Sequence, residues 1–334
     1  MTYRIAYFGT PDYAVPALEQ LAADERFEVA LVVTQPDRPA GRGHKLTPPP
    51  VKEAAEQLGI RIYQPESLKS PNMRMPLVEA NADLFVVAAY GLIFGEKTLA
   101  IPSIGCVNLH ASILPAYRGA SPISAAILEG EATTGVSLMV MERGLDWGPV
   151  IATESISIGP DATTGSLTAE LAIVGAHLVQ DALDDFASGG ITPEPQNSRG
   201  VSFVRPLMKS DGWIDWSMPA IEIERQVRAL WPWPRTWTEI DGAIVQIHES
   251  DVVDDWSPVD GQIGSISEHE KFPVVRCGEG SLRLLRIQFP GKQSVDARIA
   301  LANGQLRIGS VLNGAAPERA PMVIRPSDGS STSA

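Results

Sequence analysis

The chain has 334 residues, a formal net charge of −13 and 44% hydrophobic residues. That length exceeds a single ordinary core and implies two domains, and the acidic balance argues against a general nucleic-acid binder. No apolar run reaches the roughly 18 residues of a membrane helix, Met1-Thr2-Tyr3-Arg4-Ile5 lacks the charge and apolar length of a signal peptide, and the two cysteines, Cys106 and Cys277, are far apart. A cytoplasmic protein with two buried thiols and no disulfide is expected.

Tyr3–Phe8 is a short apolar run ending in Gly9-Thr10-Pro11, which reads as a buried strand and a turn. Asp12 stands where it could cap the next helix, on which Val15, Leu18, Leu21 and Ala22 recur at helical spacing. A strand at Glu28–Thr34, a helix at Ala54–Leu58 and a strand at Ile60–Tyr63 follow. Asp83–Ala89 is continuously apolar, as a central parallel strand covered on both faces should be, and Gly105–His110 and Val136–Met141 read as two more. Thr163–Phe186 has the pattern of a long amphipathic helix. Alternating strands and helices define a doubly wound, mostly parallel α/β domain over residues 1–189.

Residues 190–208 form a Gly-, Pro- and Ser-rich linker. Beyond it the pattern predicts one helix at Ala220–Leu230 and short strands at 243–248, 262–267, 272–277, 281–287 and 305–310, which is the signature of a small OB-like β-barrel over residues 209–325. The polar tail, 326–334, is expected to be disordered. The barrel is charge-polarised: residues 239–270 hold nine acids and no Lys or Arg, whereas 271–325 hold nine bases and three acids. Local basic surface could therefore meet phosphate in spite of the overall charge.

Residues 35–50, QPDRPAGRGHKLTPPP, fit neither pattern. Their prolines and glycines and the lack of an apolar period argue against helix and strand, and a structureless loop of about 16 residues in a compact domain is often functional. It sets Arg38, Arg42, His44 and Lys45 against one acid, Asp37.

Two places could carry chemistry. The first turn, FGTPDYAVP, has one glycine where a dinucleotide fingerprint needs three, and Pro11 and Pro16 remove donors from the helix start, so a nicotinamide site is not expected. The stronger cluster is GCVNLHASILPAYRGASP (105–122). Asn108 and His110, two apart at a strand end, leave the same face at the carboxyl edge where open α/β sheets bind ligands. Asp146, in GLDWG, is a third candidate. An imidazole handles protons near neutrality, a carboxylate supports its charged form, and an amide can donate to a developing oxyanion, so the set suits acyl transfer to an amine. No Ser or Cys stands in a nucleophile elbow, which favours direct transfer. A strand-end His is more often structural and an Asp between glycines more often a turn residue, so spacing alone reaches only an α/β enzyme with a site near 108–146. No His/Asp/Glu spacing indicates a metal.

Asn108-x-His110 followed by SILPAYRG (112–119), with Asp146 in GLDWG, resembles the signature of the folate-dependent formyltransferases. Within them, FGTPDYAVPAL (8–18), VVTQPDRPAGRGHKLTPPPVK (32–52), AAYGLI (88–93), DGWIDWSMPAIEIERQVRALWPWPRTWT (211–238) and GEGSLRLLRIQFPGK (278–292) are similar to the methionyl-tRNA formyltransferase family across both domains. The resemblance implies direct transfer of a formyl group from 10-formyltetrahydrofolate to the amine of initiator methionyl-tRNA, with Asn108, His110 and Asp146 as the catalytic trio. It further implies a folate pocket from Ala89, Tyr90, Gly91, Leu92, Ser112, Ile113, Leu114, Pro115, Tyr117, Arg118 and Gly119. Contacts to tRNA are implied for Arg38, Arg42, His44, Lys45 and Lys209. A monomer with no metal, no DNA partner and no membrane partner is expected. The chain departs from the family pattern at Trp147, where a small residue is usual, at Ala116, commonly Arg or Lys, and at Ser124 and Gly95. A sugar-nucleotide N-formyltransferase would lack the RPAGRG insertion and the basic barrel; a formyltetrahydrofolate hydrolase is a further relative; a tRNA-binding module without catalysis should have lost His110 or Asp146.

Overall fold

A computed structural model describes residues 2–40, 45–253, 261–313 and 320–326. The N-terminal part runs β1 (Tyr3–Gly9), α1 (Val15–Ala23), β2 (Phe27–Val33), β3 (Arg38–Ala40), β4 (Lys45–Thr47), α2 (Pro50–Gln57), β5 (Ile62–Tyr63), α3 (Pro71–Glu79), β6 (Leu84–Ala88), α4 (Glu96–Leu99), β7 (Gly105–His110), β8 (Arg118–Gly119), α5 (Pro122–Leu128), β9 (Thr133–Val140), β10 (Val150–Ser157) and α6 (Thr164–Ala187). Seven of these strands form one sheet in the order β10-β9-β7-β6-β1-β2-β5. Successive residues of a strand point to opposite faces. Ile5 and Tyr7 of β1 accordingly enter the core beneath α1 and α6, while Ala6 and Phe8 enter a second core on the other face. Burial on both sides is why these strands read as continuous apolar runs.

The sheet departs from the sequence reading in three ways. First, β9 runs antiparallel to β7, with His110 opposite Ser137, and β10 runs antiparallel to β9. The connection, residues 111–132, runs through the site loop and β8 as well as the seven-residue α5 and delivers the chain to the carboxyl end of β7, not back to its start. Second, Asp12 caps nothing: it opens a 3-10 turn, Asp12–Ala14, with no side-chain cap, and α1 starts with a proline in its first turn. Third, the stretch 35–50 does contain strands, because β3 and β4 pair antiparallel with Pro39 opposite Leu46. In a two-stranded ribbon each strand keeps a free edge, where the absent N–H of a proline costs nothing.

The remainder comprises β11 (Phe203–Val204), α7 (Ala220–Ala229), β12 (Thr236–Ile240), β13 (Ala243–Val253), β14 (Ile266–His269), β15 (Phe272–Arg276), β16 (Ser281–Gln288), β17 (Val295–Asp296), α8 (Ala297–Ala302) and β18 (Val323–Ile324). The antiparallel sheet β12-β13-β16-β15-β14 is closed by residues 309–313: across one edge Gly309 N–H donates to the Ile266 carbonyl and Ile266 N–H to the Ser310 carbonyl, and on the other Asn313 N–H donates to the Glu239 carbonyl of β12, each 2.8 Å. No strand forms at 305–310. Leu306 is 1% exposed and Ile308 63%, although a strand would put both on one face; the chain turns between Gly304 and Gly309, both at positive φ. Trp216, Ile223, Val227, Leu282 and Leu284 pack inside. The end of the chain returns to the first domain, where β18 pairs with β11 and β11 pairs in parallel with β8.

Candidate active site

Val107 and Leu109 of β7 pack into the core beneath α1 and α6. The alternate residues Asn108 and His110 therefore face the other way, at the carboxyl end of the strand. His110 is 6% exposed, and its Nε2 lies 2.9 Å from the Tyr117 carbonyl oxygen. A carbonyl only accepts, so Nε2 carries the proton and the neutral ring keeps its lone pair on Nδ1. That nitrogen faces Asp146 Oδ2 at 3.7 Å, longer than a hydrogen bond in the free protein but of the kind that tightens around substrate. The Asn108 side chain is half-buried and has no hydrogen-bond partner among the described residues, leaving its amide available.

Asp146 reaches His110 from the loop that returns between β9 and β10, not from the end of a parallel strand. It takes a left-handed φ of 55°, and its Oδ2 accepts the Gly119 N–H at 2.8 Å. Gly119 itself has φ +110°, and a Cβ there would meet the Val204 carbonyl oxygen at 2.3 Å, so the close pass of β11 requires glycine.

The loop 111–119 is fastened along its length. Ser112 Oγ donates to the Ala116 carbonyl, 2.7 Å. Ser137 Oγ donates to the Ser112 carbonyl, 2.8 Å, and accepts from Leu114 N–H, 3.1 Å. Tyr117 N–H donates to Ser202 Oγ, 2.8 Å. Ser112, Leu114 and Tyr117 are buried; Ile113, Pro115 and Gly119 are half-buried. Across the strand boundary Val87 pairs with Asn108, so the chain leaves β6 beside the trio. There Ala89 (φ 47°) and Gly91 (φ 90°) are exposed, Leu92 is half-buried, and the Tyr90 carbonyl is held by Thr10 Oγ1 at 3.0 Å. Exposed backbone beside apolar side chains suits a flat heteroaromatic ring with hydrogen-bonding edges.

Arg118 differs from the others. It is 1% exposed, and its guanidinium lies 3.9 Å from the Trp147 ring and donates to Gln196 Oε1. The bulky Trp147 is thus a lid over an inward-turned arginine, packed also against Phe203. Gln196, Ser202 and Ser137 were not signalled by the sequence: two lie in the linker and one in a strand, where a polar residue marks no motif.

Of the cationic residues, Arg38 is exposed on β3 and Lys45 lies on β4, while Arg42 and His44 lie outside the described residues. Lys209 is exposed and lines a groove of about 450 Å³ with Arg235, Trp237 and Phe289. Burial pushes the Cys106 and Cys277 thiols up to about 12, so neither is a nucleophile near neutrality. No metal-binding group occurs among the described residues, and no described helix is long and apolar enough to cross a membrane.

Residues 3–183 match the family described as formyl transferase, and residues 206–305 match the formyl transferase C-terminal domain. A methionyl-tRNA formyltransferase of Roseiflexus sp. (strain RS-1) is 44% identical over 297 residues, covering 89% of this chain and 91% of that protein. The chain belongs to the methionyl-tRNA formyltransferase family. A second member, from Methylococcus capsulatus (strain ATCC 33009 / NCIMB 11132 / Bath), is 45% identical over 88% of this chain and 95% of its own length. Among solved structures, an N-formyltransferase from Helicobacter canadensis, in complex with folinic acid and dTDP-3-aminofucose, superposes with a TM-score of 0.63 at 18% identity over 85% of this chain and 99% of that one; at that identity the likeness is one of fold. In this formyltransferase the trio lies wholly within the first matched segment, on β7 and the 142–149 loop.

Proposed function

We propose that this formyltransferase moves the formyl group of 10-formyltetrahydrofolate directly onto the free amine of initiator methionyl-tRNA, with Asn108, His110 and Asp146 as its catalytic residues. The observation that carries the mechanism is the approach of His110 Nδ1 to Asp146 Oδ2, 3.7 Å, with Nε2 fixed by the Tyr117 carbonyl. The bound donor supplies an activated formyl carbon. Nδ1 takes the proton that the attacking amine must lose, and the imidazolium so formed faces the Asp146 carboxylate. The Asn108 amide donates to the oxyanion that develops on the formyl oxygen, a contact of a kind worth roughly 3 kcal/mol. The loops 89–92 and 112–119 would hold the folate. Sequence identity of 44% over 89% of the chain to a protein named for methionyl-tRNA and the exposed cations Arg38 and Lys209 support an RNA-borne amine.

The deciding experiment measures formyl transfer by the purified protein from 10-formyltetrahydrofolate to charged initiator tRNA, beside a sugar-nucleotide amine. Transfer to the tRNA is expected, weakening with salt as phosphate contacts release counterions. His110→Ala and Asp146→Ala should each lower kcat by roughly 10²–10⁴ and leave tRNA binding intact. Transfer only to the sugar amine, or full activity in His110→Ala, would overturn the reading.

A further inference from the structure

We infer that Gln196 is a positioning residue of the reaction, holding Asp146 in place by clamping the 142–149 loop to Arg118. The inference rests on the role of Asp146 proposed above. A glutamine amide offers two acceptor sites and two donors, and all four are used here. Oε1 accepts from Arg118 Nε at 3.0 Å and from Arg118 Nη2 at 2.6 Å. Nε2 donates to the Asp146 carbonyl and to the Gly148 carbonyl, each at 2.8 Å.

Both ends of this clamp are fixed. On one side the Arg118 guanidinium is buried, its central carbon 3.9 Å from the centre of the Trp147 ring. On the other, Glu194 exchanges two backbone hydrogen bonds of 2.8 Å with Val150 at the start of β10, which mounts Gln196 two residues from a rigid strand. What lies between is a loop that needs holding. Asp146 has φ 55°, a region a non-glycine residue keeps only when its surroundings over-determine it. Its carboxylate is tied by one bond, the Gly119 N–H, and its main chain by Gln196. Leu145 and Trp147, the neighbours on each side, are 50% and 45% exposed, so beyond the contact of Trp147 with Arg118 and Phe203 little packing immobilises the loop. Removing the two amide donors frees the peptide that aims the carboxylate at His110, and a displacement of about 1 Å at such a group can cost on the order of 10²-fold in rate.

The test compares wild type with Gln196→Met, which removes all four bonds at similar volume, and Gln196→Glu, which keeps the acceptor for Arg118 and deletes both donors to the loop. Steady-state transfer from 10-formyltetrahydrofolate to initiator methionyl-tRNA is measured for each. Expected is a fall in kcat of roughly 10- to 100-fold in both variants, with KM for tRNA and for the donor within about twofold of wild type. A kcat within twofold of wild type in either variant overturns the inference, as does a rise in KM at unchanged kcat. Active Gln196→Glu beside impaired Gln196→Met would assign the residue to satisfying Arg118 instead. Failure of both variants to fold would assign it to stability, which equally overturns it. If wild type itself transfers no formyl group to the tRNA, the proposed function fails, an outcome distinct from an active wild type whose variants are equally active.

Discussion

Burial on β13, against Trp231, keeps the His248 imidazole neutral well below neutrality. The residue is 7% exposed, its Nδ1 lies 3.2 Å from Ser294 Oγ and its Nε2 3.1 Å from Gln246 Oε1, and its ring packs on Trp231. Burial first, and then the charges of Arg235 and Arg286, bring its pKa down to about 4. The unfolded chain takes up this proton near pH 6.5 and the folded protein only near 4, so between those values the unfolded state binds more protons. Stability is therefore lost as pH falls through that window, by roughly 3 kcal/mol at most. Thermal melts between pH 7 and 4 should show wild type losing more Tm than His248→Gln; parallel curves would mean the imidazole charges freely in the fold. The contrast with His110 is one of surroundings. His248 has polar partners on both nitrogens and two cations nearby, whereas His110 has a carbonyl on one nitrogen and a carboxylate facing the other.

The hairpin β3–β4 shows how an element outside the regular patterns is held. Asp37, the one acid of residues 35–50, accepts from Lys52 Nζ at 2.7 and 2.9 Å and from Gln64 Nε2 at 2.7 Å. Gln64, then Lys52, hold its carboxyl below the usual carboxylate range. The acid thus fastens the base of the ribbon to α2 and the end of β5, and does not offer negative charge to an RNA partner. Asp37→Ala should raise KM for methionyl-tRNA roughly three- to tenfold, with kcat at saturation unchanged; an unaltered KM would separate the hairpin from tRNA use. Arg42→Ala should act in the same direction. Elements of this kind explain what the sequence concealed. β1, β6, β7 and α6 were legible because each is long enough, or buried enough, for its apolar period to dominate. The antiparallel turn of β9 depends on the path of the chain through residues 111–132, which pattern alone does not reveal. The two-residue strands β8, β11 and β18 exist only through partners 85 or more residues away. The trio showed the same division: Asn108 and His110 follow from strand spacing, the approach of Asp146 follows from a loop path, and Gln196, in a segment that reads as linker, carries no local signal.

At the scale of the molecule the two domains are joined at two places among the described residues. The first junction is α7 against α5 and the start of α6: Thr164 Oγ1 donates to the Ala229 carbonyl at 2.6 Å, Gly165 N–H to the Trp231 carbonyl at 3.1 Å, and Arg228 Nη1 to the Ala162 carbonyl at 2.9 Å. The second is the three-stranded sheet β8-β11-β18, which joins the active-site loop, the linker and the returning end of the chain. Its middle strand meets the site: the Ser202 carbonyl accepts from Arg118 N–H at 2.9 Å and the Val204 carbonyl from Ala120 N–H at 3.0 Å. Its outer strand covers the free edge of β11, the Ala320 carbonyl accepts from Arg205 Nη2 at 3.0 Å, and Arg325 pairs with Glu129. Barrel closure ends at Asn313, so a chain stopped there keeps the barrel core, the cores on both faces of the large sheet and the first junction; among the described residues it loses the cover on β11, the packing of Met322 and Val323 against the cluster that holds Tyr117, and the Arg325–Glu129 pair. Deleting residues 314–334 should therefore leave a folded protein whose kcat for formyl transfer falls, by roughly three- to tenfold, because the strand that sets Tyr117 and Arg118 is held from one side alone; a local loss of about 1 kcal/mol of hydrogen bonding corresponds to that factor. Backbone hydrogen exchange checks the cause. Faster exchange should be confined to residues 117–120 and 202–205, with β1, β6 and β13 at wild-type protection, since local opening tracks the contacts removed. Full activity with unchanged protection at those amides would show that the second junction is dispensable and that α7 alone fixes the barrel to the site.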